Sequence, residues 1–321
     1  MLYNGTYEFV KELGAGGFGR VFLAKDIIAK RQVAIKELLD KGSKSQQDII
    51  TEMQHVAKLN LPGVVSFFHH FWQDGLLYLV MEYCSNGSLR DNLKKGKADE
   101  HNAFLWTQIL CETFEVVHEK GIVHHDIKPD NILFNEQGII KLSDFGIANT
   151  LGGTRCYMAP EVLTYDAKSS DVRIDIYALG VTLIETVTGK NPFWGKSTAE
   201  ILACHDKSDF NIKSVSDWQQ EIMLKAINKV PELRFQSMAE FAEAIRIKQV
   251  PFTINKEIIR AGDLAEKAKR ALTLKKWGRV RSYIDYAEQN LPPSVNMLKV
   301  AGRYHLLQQN IKKAKTYYDK A

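Results

Sequence analysis

The chain has 321 residues, enough for one large domain with an appendage or for two domains. With 45% hydrophobic and 25% charged residues it has the ordinary globular mix, which excludes a disordered or collagen-like chain. The net charge of +5 is unevenly spread: residues 251–321 hold 15 Lys/Arg against 6 Asp/Glu, and residues 1–250 hold 28 against 32.

Taken in chain order, residues 7–13, 20–24 and 32–37 read as short strands rich in Val, Ile, Phe and Tyr, the first two separated by glycine-rich 14–19. Apolar residues at Ile49, Ile50, Met53, Val56 and Ala57 have helical spacing and predict a helix over 46–59, closed by Pro62-Gly63. Residues 64–72 and 76–81 read as two more strands around a Gln73-Asp74-Gly75 turn. Helices are then expected over 89–93 and 103–120, with Gly121 as the stop, and from 175 to 249. Between these stretches, 131–134 and 139–142 read as a small hairpin. The pattern is α+β, a strand-rich lobe followed by a helical lobe, with the cleft between them as the expected ligand site.

Three strings carry chemistry. Gly14-Ala15-Gly16-Gly17-Phe18-Gly19 lets backbone amides approach phosphate oxygens. A strand follows it where a dinucleotide site would have a helix. In Val33-Ala34-Ile35-Lys36, Lys36 can reach phosphates beneath the loop, and Glu52 suits as the carboxylate that holds it, with Glu37 and Glu112 as weaker alternatives. The third string runs from His124-His125-Asp126-Ile127-Lys128-Pro129-Asp130-Asn131 to Asp144-Phe145-Gly146. It offers oxygen ligands for Mg²⁺, an aspartate to accept a hydroxyl proton, and a lysine to neutralise a transferring phosphoryl group.

In order and spacing these motifs resemble a eukaryotic-type (Hanks-type) Ser/Thr protein kinase over residues 7–248. The resemblance implies a bilobal kinase fold, a strand-rich lobe over 1–82 and a helical lobe over 86–248, using ATP and Mg²⁺. It implies nucleotide contacts from Leu13, Gly14, Gly16, Gly19, Val21, Ala34, Lys36, Met81, Glu82, Cys84 and Leu133. Met81 would be the gatekeeper, and Glu82 and Cys84 would offer backbone groups to adenine. Asp126 resembles the base, Lys128 the phosphate-stabilising lysine, and Asn131 and Asp144 the Mg²⁺ ligands. Lys36 would pair with Glu52, and Thr154 would bond Asp126 and Lys128. Glu161 in Met158-Ala159-Pro160-Glu161 would pair with Arg234, and Asp175 would brace the catalytic loop. Lys128 and the segment 153–161 match the Ser/Thr pattern.

Two departures follow. His125 stands where the family usually has Arg, which puts control by activation-loop phosphorylation in doubt. Only twelve residues, 147–158, separate Gly146 from Ala159, so an active site assembled without loop phosphorylation is expected, and Thr150 is the candidate phosphosite. The alternative is a pseudokinase, a nucleotide-binding scaffold without transfer activity. A small-molecule phosphotransferase is disfavoured by the docking segment 153–161.

After a linker over 251–256, residues 257–321 read as helices that repeat with a period of 34, as Val280, Ile284 and Ala287 do on Ala314, Tyr318 and Ala321. This resembles tetratricopeptide repeats, an all-α repeat extension able to hold a peptide or protein partner; its second unit is incomplete at Ala321, so either a longer protein or helices that lean on the helical lobe are expected. The tail's basic residues interleave with Leu, Ala and Tyr at helical spacing, which fits a solvated surface rather than a nucleic-acid face. No run of about 18 apolar residues predicts a membrane span. The first ten residues lack the pattern of a secretory signal. Cys84, Cys111, Cys156 and Cys204 form no CxxC pair, which argues against zinc and disulfides and for a cytoplasmic location. The adjacent pairs His69-His70 and His124-His125 do not converge on a metal, because neighbours in a strand face opposite ways.

Overall fold

The computed structural model describes residues 2–16, 19–38, 50–51, 54, 57–58, 61–145, 154–164, 170–207, 212, 215–250, 261–273, 275, 277–290 and 295–321. The chain divides into two compact units, 1–229 with 234–249, and 230–233 with 250–321.

The first unit opens with a six-stranded antiparallel sheet: β1 (Leu2–Tyr3), β2 (Tyr7–Gly16), β3 (Gly19–Asp26), β4 (Arg31–Leu38), β5 (Phe67–Gln73) and β6 (Leu76–Glu82), in the order β1-β2-β3-β4-β6-β5. Side-chain alternation along β4 explains its burial on both faces. Val33 and Ile35 join Tyr7, Ala24, Phe71, Tyr78 and Val80 on one side. On the other, Leu38 joins Leu77, Leu79, Met81, Ile50, Val65 and Cys84. Ala34 and Lys36 share that second face, with Val21 opposite Lys36 and Met81 opposite Ala34.

The expected strand over 64–72 begins only at Phe67. The preceding residues pair elsewhere: the Val65 N–H donates to the Leu142 carbonyl at 2.8 Å, and the Leu142 N–H to the Gly63 carbonyl at 2.8 Å. The expected helix over 46–59 lies largely outside the described residues; Ile50, Thr51, Gln54, Ala57 and Lys58 have helical backbone.

Helices dominate after the sheet. α1 (Leu89–Lys94) carries a capping box of Ser88 and Asp91. α2 (Glu100–Glu119) buries Phe104, Leu110, Cys111, Phe114 and Val117 along one stripe and ends before Gly121, whose φ is +73°. The hairpin β7 (Ile132–Phe134) and β8 (Ile140–Leu142) follows a 3₁₀ turn at Pro129–Asn131. Next come α3 (Pro160–Leu163), α4 (Arg173–Thr188), α5 (Thr198–Lys207), α6 (Asp217–Ala226) and α7 (Met238–Ile247). α4 is buried from Ile174 to Val187 on every side, as expected of a helix apolar all round. Sheet first and helices after is the two-lobed α+β order expected from the sequence.

The second unit holds α8 (Ala261–Thr273), α9 (Trp277–Asn290), α10 (Val295–Leu307) and α11 (Ile311–Asp319). Its core includes Leu264, Ala268, Val280, Ile284, Val300 and Ala301. A Cβ on Gly302 would stand 3.0 Å from the Tyr318 ring, so α10 and α11 approach closely there. The linker expected over 251–256 lies outside the described residues. No helix among the described residues is long and apolar enough to cross a membrane.

Candidate active site

The sheet contributes the first part of the site. Gly16 pairs with Gly19 across the tip of the β2–β3 hairpin, and Gly14 lies opposite Val21. Gly19 has φ +145°, and a Cβ there would stand 1.8 Å from the Glu37 carbonyl oxygen. Only glycine fits a backbone that runs so close to β4. Gly19→Ala is expected to destabilise the protein by about 1–3 kcal/mol, read as a lowered Tm, because the backbone must move off β4. An unchanged Tm would count against this tight register. Leu13 sits at an irregularity in the β2–β3 pairing and is exposed.

Lys36 is buried on β4, and its Nζ donates to Asp144 Oδ1 at 2.7 Å. Glu52, the partner expected from the sequence, lies outside the described residues. Burial alone would push the Asp144 carboxyl up, but the Lys36 charge and hydrogen bond, with His124 and Lys128 near, hold it below the usual carboxylate range. Asp144 has φ +64°, a strained conformation for a non-glycine residue at a functional position.

The loop between α2 and β7 supplies the rest. Lys128 Nζ donates to Asp126 Oδ2 at 2.7 Å. Asn131 Nδ2 donates to the Asp126 carbonyl at 2.8 Å and to its carboxylate at 2.9 Å, which turns the Asn131 amide oxygen away as a donor for a hard cation. Ser143 N–H and Oγ both donate to the Asn131 carbonyl, at 2.9 and 3.1 Å, and so bring the adjacent Asp144 to the loop. An ionised carboxylate and an amide oxygen held together are the oxygen donors that Mg²⁺ prefers. Lys128 also approaches Thr154 Oγ1 at 3.5 Å, the outer limit of a hydrogen bond. No Thr154–Asp126 bond is found among the described residues; the Asp126 carboxylate is engaged by Lys128 and Asn131 instead.

Asp175, fully buried near the start of α4, accepts the backbone N–H groups of His124 at 2.8 Å and His125 at 2.9 Å. Its other partner is His118 Nε2 at 2.9 Å. Burial opposes its charge, but these partners outweigh burial and lower its pKa. His124, buried, accepts the Asp126 N–H at Nδ1 (3.2 Å), so its Nε2 carries the proton donated to the Ser143 carbonyl at 2.9 Å. The His124 ring packs 4.5 Å from the Phe145 ring. His125 takes φ +66°. His118 and Ser143 were not singled out from the sequence. Neither has a local signature: each matters only because α2 and β8 bring it against the loop.

Across the cleft, Val21 and Ala34 share one face of the sheet, while Leu133 on β7 packs against the cluster that includes Met81 and Cys84. The Glu82 N–H is taken by the Ser66 carbonyl at 2.8 Å and the Cys84 carbonyl by the Gly87 N–H at 3.3 Å. Glu82 is the last β6 residue paired with β4, opposite Val33, and Cys84 follows just beyond the strand. The Glu82 side chain is tied to Lys141 at 2.8 Å. Downstream, Arg234 makes the expected pair with Glu161, two bonds of 2.7 Å each. Thr150 and Gly146 lie outside the described residues.

A carboxylate flanked by a lysine and an amide, near a second lysine–aspartate pair, is an arrangement that can stabilise a transferring phosphoryl group. Comparison with known proteins gives the family. Residues 7–249 match the family model described as protein kinase domain. The chain is 30% identical over 302 residues to serine/threonine-protein kinase PrkC of Bacillus subtilis, covering 83% of this chain and 46% of that protein. It is 33% identical over 267 residues to serine/threonine-protein kinase PknB of Mycobacterium leprae, covering 75% and 43%. The cell cycle serine/threonine-protein kinase CDC5/MSD2 of Saccharomyces cerevisiae is 30% identical over 278 residues, covering 79% and 39%. The chain thus spans less than half the length of these relatives. With about three quarters of its length matched by the domain model and its catalytic loop assembled as described, the chain belongs to the protein kinase family.

Proposed function

We propose that the chain is an ATP-dependent protein kinase that transfers the γ-phosphate to Ser or Thr hydroxyls of protein substrates. The observation that carries this is the Asp126 carboxylate held at once by Lys128 and Asn131. Asp126 orients the incoming hydroxyl and accepts its proton. Lys128 lies where charge builds on the transferring phosphoryl oxygens. Lys36 fixes the ATP phosphates beneath Gly14, Gly16 and Gly19, with Glu52 as its second carboxylate partner. Asn131 and Asp144 would hold Mg²⁺, which supplies charge neutralisation at the phosphates. Val21, Ala34 and Leu133 enclose the adenine, with Leu13 at the rim, Met81 behind it, and Glu82 and Cys84 at its polar edge. Thr154 orients Lys128 from the docking segment.

His125 removes the arginine through which a phosphorylated loop would act, so the enzyme works without that pairing. The domain boundaries that fit this reading are a kinase domain over 1–250, a linker over 251–256 and a helical segment over 257–321. The segment's 34-residue period and the Gly302–Tyr318 approach support tetratricopeptide-like repeats that hold a peptide or protein partner. A cytoplasmic setting suits the free thiols.

The test is transfer of labelled γ-phosphate to the protein itself and to a generic Ser/Thr substrate, with and without Mg²⁺. Label that depends on Mg²⁺, with no phosphate mapped on Thr150 at full activity, is the expected result. Absence of label while ATP still raises the Tm would replace this reading with a nucleotide-binding scaffold.

A further inference from the structure

Beside the catalytic loop lies an anionic pocket that the protein fills with its own arginine. Arg90 projects from α1 into it. Its Nη1 donates to Glu185 Oε1 at 2.5 Å, its Nη2 to the Tyr157 hydroxyl at 2.6 Å, and its Nε to Asp130 Oδ2 at 3.3 Å. The Tyr157 hydroxyl in turn donates to Glu185 Oε2. The Arg90 side chain is 19% exposed and that of Glu185 6%, whereas Asp130 is 50% exposed. The guanidinium also lies over the Trp194 ring, 5.7 Å from its centre.

The position of this cluster is what gives it meaning. Asp130 lies in the Pro129–Asn131 turn, capped by Lys128, four residues after Asp126 in the same loop. Tyr157 belongs to the segment that carries Thr154, and its N–H bonds the Thr154 carbonyl at 2.9 Å. A peptide with its hydroxyl at Asp126 must run past both. In an extended chain a residue two or three places from that hydroxyl lies about 7–10 Å away, beyond Asp126 itself and among the neighbouring groups of the loop. Two carboxylates and a phenol facing such a position would otherwise take a basic side chain, since a guanidinium can bond all three at once.

We propose that Arg90 is a specificity-determining residue, an internal guanidinium that occupies the subsite for a basic substrate side chain. A substrate arginine then finds Glu185 covered and only Asp130 open, so the enzyme accepts Ser/Thr segments without selecting arginine beside them. The inference rests on the kinase reading above.

The test uses the full chain and a set of serine peptides in which one arginine replaces alanine at each place in turn around the serine. The wild type is expected to vary by less than about threefold in kcat/KM across the set. Arg90→Ala opens the pocket, and arginine at one place should then raise kcat/KM by about tenfold or more, through KM. Adding Glu185→Gln to Arg90→Ala should remove that gain, a result that a purely structural role for Arg90 does not give. A wild type that already selects arginine about tenfold overturns the proposal, as does a folded, active Arg90→Ala enzyme that gains nothing. If Arg90→Ala does not fold, the wild-type scan alone decides, in the same two directions. Transfer to none of the peptides by the wild type would instead overturn the kinase reading itself.

Discussion

Asp126→Asn is expected to lower kcat by about 10²–10⁴-fold, the range spanned by a positioned general base. The substitution is nearly isosteric. The amide oxygen can keep the bonds from Lys128 Nζ and Asn131 Nδ2 that Asp126 Oδ2 accepts now. What remains toward the substrate is then an N–H₂ group, which donates to the hydroxyl and cannot take its proton. The proposed phosphate and adenine contacts on β2, β3, β4 and at Met81 to Cys84 lie on elements other than the Asp126 loop, so KM for ATP and the ATP-induced rise in Tm should hold within a few-fold of the wild type. Steady-state transfer beside a thermal-shift titration separates the two. A loss of less than about fivefold would show that Asp126 does not serve as the base.

The parts of this site that could be read from the chain are those whose meaning is local. Gly14 to Gly19, Lys36, the stretch from His124 to Asn131, and Asp144 each lie in a string where neighbour identity fixes backbone conformation. The folded chain brings these strings together through Lys36–Asp144 and Asn131–Ser143. The Glu161–Arg234 pair, 73 residues apart, came instead from the resemblance, since no pattern of spacing announces it. His118 under Asp175 and Arg90 against Glu185 escaped altogether. Each depends on which turn of one helix meets which turn of another, and a single sequence does not encode that in any short string. The same holds for Val64 and Val65, which read as the start of a strand over 64–72 but pair with Leu142 of β8 rather than continuing β5. Alternation identifies an extended segment without naming its partner. β1, only Leu2–Tyr3, is too short to show a period at all.

Removal of Arg234 tests the frame rather than the chemistry, and its expected cost is the largest in stability. The guanidinium is wholly buried. It holds Glu161 through two bonds, donates to the Asn228 carbonyl at 2.6 Å and the Arg173 carbonyl at 3.0 Å, and lies 4.9 Å over the Tyr177 ring. Arg234→Ala leaves Glu161 with no counter-charge in a buried site, two carbonyls without these donors, and a cavity. Breaking a buried ion pair on one side costs about 3–5 kcal/mol, a large share of the 5–15 kcal/mol by which domains are typically stable. Urea unfolding should show a midpoint lowered accordingly with an unchanged slope. Replacing both partners, Glu161→Gln with Arg234→Met, should recover much of the loss, because the unpaired charge goes with the pair. Glu161 stands at the start of α3, directly after the segment from Thr154 to Ala159. The double variant should therefore bind ATP normally yet show a raised KM for protein substrate, as the docking segment loses its anchor to the helical lobe. A single variant destabilised by less than about 1 kcal/mol would mean that Glu161 reaches water or another cation without Arg234, and the buried pair would not be what holds the segment in place.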